Sequence, residues 1–317
     1  MYRNETFTTP STRVAPLPGR VLAGTIAITA VFGFLTACAP KKAATENTSA
    51  PAAGKTLRIA SMAPSYTAVL ADLGLADWIV ACDTWSETGG GLSDAVVRFD
   101  MMNPDAERLA AIAPDLILVS EMTKQGTSTD PFKPLSDSGI RVEYLPTSAS
   151  LAEIRSDTAR IAALVGREAE GQRLIATMDD AIAAIRSIGE KIPANERRTV
   201  FFELSPAPYL YSFGSGVYLD ELIAVIGADN ALGASTGWLS VGAETVVAAD
   251  PDVILTNVIY AGDPVPEILG RPGWEGVKAV RNRRVYYIDN DSSSQPCPRI
   301  AKALGEMARA VYPERYR

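Results

Sequence analysis

The chain reads Asn103-Pro-Asp-Ala-Glu-Arg-Leu-Ala-Ala-Ile-Ala-Pro-Asp-Leu-Ile-Leu-Val119 and, 137 residues later, Ser240-Val-Gly-Ala-Glu-Thr-Val-Val-Ala-Ala-Asp-Pro-Asp-Val-Ile-Leu-Thr256. Each copy has a helix-capping residue (Asn103, Ser240), a glutamate four positions later, a short apolar helix, Pro-Asp and an apolar run typical of a strand. This period exceeds the roughly 20–50 residues of solenoid repeats. The repeat therefore predicts two similar α/β lobes with a ligand cleft between them.

Strands and helices alternate around both copies, which predicts parallel-type sheets with covered faces. We expect an N-terminal α/β lobe over residues 55–149, an interlobe helical segment over 150–194 and a C-terminal α/β lobe over 195–317. In the middle segment, Ser150-Leu-Ala-Glu153 is the pattern of a capping box. The apolar periodicity of residues 167–188 predicts a helix roughly 33 Å long that joins the lobes.

The first 54 residues have the composition of a targeting segment and a linker. An uncharged apolar run, Val21–Leu35, leads into Leu35-Thr-Ala-Cys38. The run is short for a membrane span but typical of a signal peptide, and small residues before a cysteine match the bacterial lipoprotein pattern. Residues 1–38 are therefore predicted to be a lipoprotein signal peptide with the lipobox cysteine Cys38, and 39–54 a flexible tether. We expect attachment to the outer face of the cytoplasmic membrane through the lipid alone.

Composition excludes several classes of function. The chain has no histidine, which rules out histidine-based nucleophilic triads, histidine zinc sites and histidine-ligated haem. Without the three arginines and one glutamate of residues 1–38, 27 basic and 36 acidic residues remain. This acidic balance argues against nucleic acid as a partner. Cys82 and Cys297 fall in different predicted lobes, where a disulfide would lock the cleft, so we expect free thiols.

Four motifs follow one another along the chain: Arg58-Ile-Ala-Ser-Met-Ala-Pro-Ser-Tyr-Thr67, Leu73-Gly-Leu75, the first copy of the repeat and Pro298-Arg-Ile300. Over roughly residues 55–317 they resemble the substrate-binding proteins of ABC importers for iron complexes and cobalamin. The resemblance implies two lobes joined by a rigid helix, a permease and its ATPase as partners, and no enzymatic activity. It also implies that a glutamate on each lobe, Glu107 and Glu244 by position, docks onto permease arginines. Compensation of the helix dipole is the alternative role of these glutamates.

Ligands of such lobes bind beyond the carboxyl ends of the strands. The candidate ligand-binding residues follow predicted strands: Ser65, Tyr66, Trp85, Glu121, Tyr209, Trp238, Tyr260, Asp291 and Arg299. The loops are acidic, whereas family members that hold anionic catecholate chelates place several arginines in the cleft. We therefore expect the ligand to be a neutral or cationic metal complex, either a ferric hydroxamate siderophore or a corrinoid. We also expect the protein to be a monomer with no metal or cofactor of its own. Tyrosine-ligated haem and an oxyanion stay open.

Two other functions also stay open at this point. An envelope enzyme would need a carboxylate or a tyrosine for all acid–base work, because histidine is absent. A binding lipoprotein without a transporter would act as a sensor or scavenger.

Overall fold

The computed structural model describes residues 56–86, 91–124, 130–259 and 262–317. The predicted signal peptide and tether, the lipidation candidate Cys38 and the ligand candidate Tyr260 lie outside the described residues. Within these ranges, no helix is both long enough and apolar enough to cross a membrane.

The N-terminal lobe is built on a five-stranded sheet in the order β3-β2-β1-β4-β5, in which all neighbours are parallel. Its elements are β1 (Ile59–Met62), α1 (Pro64–Asp72), β2 (Ile79–Asp83), β3 (Val97–Phe99), α2 (Ala106–Ala111), β4 (Leu116–Ser120), α3 (Lys133–Asp137) and β5 (Arg141–Leu145). Every residue of β1 and β4 is buried, as expected for strands covered on both faces. The strand order reverses between β1 and β4, and a crevice opens at such a point beyond the carboxyl ends of the strands.

Two antiparallel helices, α4 (Leu151–Leu164) and α5 (Glu168–Gly189), connect the lobes. The start of α4 packs in the hydrophobic cluster of the C-terminal lobe through Ile154, and its end packs in that of the N-terminal lobe through Ile161. The predicted capping box forms in a shifted variant: Ser150 Oγ accepts from the amide of Glu153 at 3.2 Å, and Glu153 Oε2 accepts at 2.6 Å from the amide of Ala149, one residue before the cap. Because α4 and α5 both take part, the connection between the lobes is a helical hairpin and not the single long helix that was predicted.

The C-terminal lobe has a parallel sheet in the order β11-β10-β6-β8 and a separate antiparallel ribbon of β7 and β9. Its elements are β6 (Thr199–Glu203), β7 (Tyr211–Phe213), α6 (Tyr218–Val225), β8 (Asp229–Asn230), β9 (Trp238–Ser240), α7 (Ala243–Ala249), β10 (Val253–Thr256), α8 (Pro264–Leu269), α9 (Lys278–Arg281), β11 (Val285–Tyr287), α10 (Asn290–Ser294) and α11 (Ile300–Val311). The order matches β5-β4-β1-β2 of the first lobe strand for strand. The predicted fold of two similar parallel α/β lobes is confirmed.

The starts of the two repeated helices differ from the prediction. Helix α2 is capped by Asp105, whose carboxylate accepts from the amide of Arg108 at 2.9 Å, and not by Asn103. Helix α7 is capped by Gly242, because Ser240 is used instead in the pairing of β9 with β7. Asp and Asn cap helices about equally well, so the local sequence alone does not choose between them.

The prediction that Cys82 and Cys297 lie in different lobes is wrong. The connection from α10 to α11 crosses to the first lobe, where Cys297 is buried in the same hydrophobic cluster as Cys82. Both thiols are free. Burial raises the pKa of Cys82 to about 11 and that of Cys297 to about 12.

Candidate functional site

A cavity of about 180 Å³ opens where the carboxyl ends of β1, β4 and β5 face the connection from α10 to α11. We call it the N-side cavity. Its lining residues are Ala63, Pro64, Ser65, Tyr66, Met101, Ser120, Met122, Pro146, Thr147, Ser148, Ser294, Gln295 and Pro296. It lies where the strand order of the first sheet reverses, which is the expected place for a ligand in this kind of sheet.

A second cavity, of about 190 Å³, lies at the carboxyl ends of the strands of the C-terminal lobe. We call it the C-side cavity. Its lining residues are Leu204, Tyr218, Leu219, Trp238, Asn257, Asn290, Ser293 and Ser294. Ser294 belongs to both cavities, so they adjoin and together form the cleft between the lobes. Each is smaller than the roughly 300–1,000 Å³ of a small-molecule pocket, so a ligand of that size spans both.

Hydroxyl, amide, thioether and aromatic groups line the cleft. Among the described residues, no charged side chain lines either cavity. The hydroxyl of Tyr66 lies 3.2 Å from the carbonyl oxygen of Leu145 and 3.3 Å from that of Pro146, to which it donates. Burial raises the pKa of Tyr66 and of Tyr218, so both are neutral phenols at physiological pH. The described part of the cleft wall therefore combines apolar surface with uncharged polar groups.

The two predicted residues of the first helix turn, Ser65 and Tyr66, line the N-side cavity, and Trp238 lines the C-side cavity. The Trp238 side chain is 44% exposed, and its ring packs edge-on against Phe213 and Tyr218, with centroids 6.0 and 6.1 Å apart. These contacts hold the indole in place while leaving much of it accessible. The structure thus brings these three candidates to the cleft.

Two other aromatic candidates lie on loops after strands but line neither cavity. Trp85 follows β2 and is 76% exposed, and Tyr209 follows β6 and is 82% exposed. The Trp85 loop is held by the buried Asp83, whose carboxylate accepts from the amide of Trp85 at 2.7 Å and from the hydroxyl of Ser86. Burial raises the pKa of Asp83. Both rings are therefore accessible from solvent.

The three charged candidates, Glu121, Asp291 and Arg299, are not among the residues that line the two cavities. Glu121 is exposed on the turn after β4, between two lining residues. Arg299 does not line the cleft. Its Nε and Nη2 donate to Asp72 of α1 at 3.0 and 2.8 Å, and its Nη1 donates to Asp291 at 3.3 Å. These ion pairs join the second lobe to the first. The candidates Arg299 and Asp291 therefore hold the lobes together instead of lining the cleft.

Sequence reasoning missed several lining residues, among them Ser120, Thr147, Asn257 and Gln295. The first three lie at or just past the ends of β4, β5 and β10, so the same strand-end rule would have found them. Gln295 had no such signal, because it comes from a connection that crosses between the lobes.

The proposed docking residues Glu107 and Glu244 occupy the second position of α2 and α7 respectively. Both side chains are exposed. In the described part of the chain, neither carboxylate forms an ion pair. Each helix precedes the next strand of its sheet, so each glutamate lies at the edge of its lobe where the strands have their carboxyl ends.

Residues 59–292 match the family model described as periplasmic binding protein. The chain belongs to this family. It is 30% identical over 260 residues to the uncharacterized ABC transporter substrate-binding lipoprotein YvrC of Bacillus subtilis, covering 82% of this chain and 81% of the relative. The protein is therefore an extracytoplasmic substrate-binding protein and not an enzyme. Such proteins work with a permease and an ATPase and bind small ligands.

Two further proteins similar to this chain bind different ligands, according to their names. A cobalamin-binding protein of Halobacterium salinarum is 25% identical over 272 residues, covering 80% of this chain and 69% of the relative. The molybdate-bound MolA structure of Haemophilus influenzae superposes with a TM-score of 0.70 at 21% identity, covering 82% of this chain and 87% of that one. The first is named for a corrinoid and the second holds an oxyanion, so family membership alone does not identify the ligand.

Proposed function

We propose that this substrate-binding protein captures a neutral or cationic metal complex, either a ferric hydroxamate chelate or a corrinoid, for an ABC importer. The observation that carries the proposal is the cleft wall, in which the described lining residues carry hydroxyl, amide and aromatic groups but no charge. A small ligand of high charge, such as an oxyanion, placed against such a wall would lose hydration without gaining a counter-charge. A complex with a neutral, hydrogen-bonding rim loses far less.

The aromatic side chains support the same ligand class. Trp238 lines the cleft, and Trp85 and Tyr209 extend from the strand-end loops of the two lobes. Rings of this size bury large apolar areas against a flat or bulky ligand. A small oxyanion would leave these rings unused.

Calorimetric titration of the purified full-length protein with ferric desferrioxamine B, cyanocobalamin, haem and molybdate tests this proposal. We expect binding of one of the first two. Binding of molybdate alone would contradict the argument from the uncharged wall. Binding of haem alone would favour the tyrosine-ligated haem alternative and would call for substitution of the exposed Tyr209.

Membrane attachment in this proposal depends on Cys38. The Cys38→Ala variant should no longer be lipidated, and the protein should leave the membrane fraction. Normal signal cleavage with continued membrane association would contradict the lipoprotein assignment. Sedimentation of the released protein should give the mass of a monomer.

We further propose that Glu107 and Glu244 dock onto cationic groups of the permease. Replacing either by Ala should leave ligand affinity unchanged but reduce uptake strongly, because losing one side of a close charge pair costs about 2–5 kcal/mol. Glu168→Ala is a matched control, since Glu168 is also an exposed glutamate in the first turn of a helix but lies in the interlobe hairpin.

Three outcomes would redirect these assignments. Weaker ligand binding in Glu107→Ala or Glu244→Ala would place these residues in the ligand site, and normal uptake in both variants would return them to compensation of the helix dipole. A wild-type protein that binds the ligand but supports no uptake with its permease and ATPase would favour the sensor or scavenger alternative.

A further inference from the structure

Gln295 has a buried acceptor atom that nothing in the described part of the chain satisfies. It lies on the connection from α10 to α11, lines the N-side cavity and is 7% exposed. Its Nε2 donates to Asp291 Oδ1 at 2.5 Å, while its Oε1 is closed to solvent and has no hydrogen-bond partner among the described residues. Buried polar atoms are nearly always paired in native proteins, so this oxygen calls for an explanation.

Exchanging the nitrogen and oxygen of the Gln295 amide does not remove the unsatisfied hydrogen bond. The partner, Asp291, also accepts from Arg299, whose other nitrogens are held by Asp72. A carboxylate at neutral pH accepts hydrogen bonds and donates none, so the amide must present its nitrogen to Asp291. The interlobe ion-pair network therefore fixes the orientation of Gln295 and leaves Oε1 as the free end.

Several hydroxyl groups of the same cavity already have acceptors elsewhere. Tyr66 donates to backbone carbonyls after β5, and Ser148 Oγ donates to Asp157 at 2.6 Å. One of Ser120 Oγ and Thr147 Oγ1 donates to the other at 3.0 Å, and none of the described hydroxyl groups of the cavity bonds to Gln295 Oε1. The missing donor is thus best supplied by a molecule that enters the cleft.

We propose that Gln295 Oε1 is a specificity-determining acceptor for the ligand, and that the ligand is a metal complex with a neutral N–H donor, such as a carboxamide, on its rim. This inference rests on the proposed function and narrows it. A ligand that offers only acceptors, such as molybdate, would face Oε1 without a proton to share. Because solvent does not reach Oε1 in this structure, the contact also requires a small displacement of the cavity wall on binding.

The test compares Gln295→Met with the wild type in calorimetric titrations of the full-length protein. Cyanocobalamin and ferric desferrioxamine B both carry amide N–H groups, and molybdate carries none. Met keeps the length of the side chain but removes the acceptor together with the Nε2 donor to Asp291, so affinity for the amide-bearing probe should fall about three- to tenfold. Gln172→Met is the matched control, because Gln172 is exposed on α5, and it should bind as the wild type does.

Each outcome decides the inference. An unchanged affinity of Gln295→Met for an amide-bearing probe that the wild type binds overturns it and leaves the proposed function intact. Binding of molybdate alone by the wild type overturns the proposed function and this inference with it. If Gln295→Met does not fold, Gln295→Asn retains the amide but retracts the acceptor by one methylene, and it should show the same loss for the amide-bearing probe.

Discussion

Replacing Gly189 by Ala should separate the interlobe hairpin from the C-terminal lobe. Gly189 is the last residue of α5, where that helix meets the end of α6. A Cβ at Gly189 would lie 2.4 Å from Val225 O, 2.8 Å from Gly227 N and 2.9 Å from the carbonyl carbon of Ile226. All three are backbone atoms, which cannot rotate away as a flexible side chain would. The two helix ends would have to move apart.

The expected loss of stability combines two opposing effects. Forcing an extra carbon into a packed site costs about 1–3 kcal/mol, and contacts with backbone place this case at the upper end. Replacing Gly by Ala in a helix contributes up to about 1 kcal/mol in the other direction. We therefore expect the free energy of unfolding to fall by about 2 kcal/mol.

Urea denaturation followed by far-ultraviolet circular dichroism measures this change. Gly276→Ala is the control, because a Cβ at Gly276 meets nothing within 4 Å and its φ is not positive. That variant should stay within about 0.5 kcal/mol of the wild type. If Gly189→Ala instead stabilises the protein, as at an unobstructed helical glycine, the close contact between α5 and the C-terminal lobe does not exist and the described interlobe packing is wrong.

Three other predictions follow from the site and its surroundings. Ligand binding should quench tryptophan fluorescence, and most of the quenching should be lost in Trp85→Phe or Trp238→Phe. Full quenching in the double variant would contradict the placement of these two rings near the ligand. Cys82 and Cys297 should resist alkylation at pH 8 in the native protein and react after unfolding, because both thiols are buried and their pKa values are raised. Alkylation of the native protein would show that the connection from α10 to α11 does not cover the core. Burial raises the pKa of Asp83, so the contribution of its carboxyl group to stability is present below the unfolded pKa of about 3.9 and is lost as pH rises through the folded pKa. The stability of the wild type relative to Asp83→Asn should therefore increase from pH 7 towards pH 4. Chemical denaturation of both proteins at the two pH values measures this difference, and a decrease towards pH 4 would contradict the prediction.

Local sequence patterns predicted much of the fold because their causes are local. The repeated apolar runs at Leu116 and Val253 became matching strands in two sheets of the same order. The capping box at Ser150 formed because its partners are three or four residues apart. The start of α2 was misplaced, since Asn103 and Asp105 both suit a cap and only the packing of the turn selects one.

The cleft was predicted only in part because its walls come from distant segments. Ser65 and Trp238 were found from their positions after or beside strands, and both line cavities. The role of Arg299 could not be read from sequence, because its partner Asp72 is 227 residues away. The same crossing carries Gln295 into the cleft, and no spacing rule relates it to the other lining residues.

Sequence patterns were sufficient to predict two parallel α/β lobes, the helical segment between them and the strand ends that form the cleft. These features depend on periodicity, turn chemistry and repetition, which act over a few residues. Long-range packing selects which polar groups face the cleft and which hold the lobes together. That choice depends on how the connection from α10 to α11 packs into the first lobe, where Cys297 is buried and the Arg299 ion pair orients the amide of Gln295.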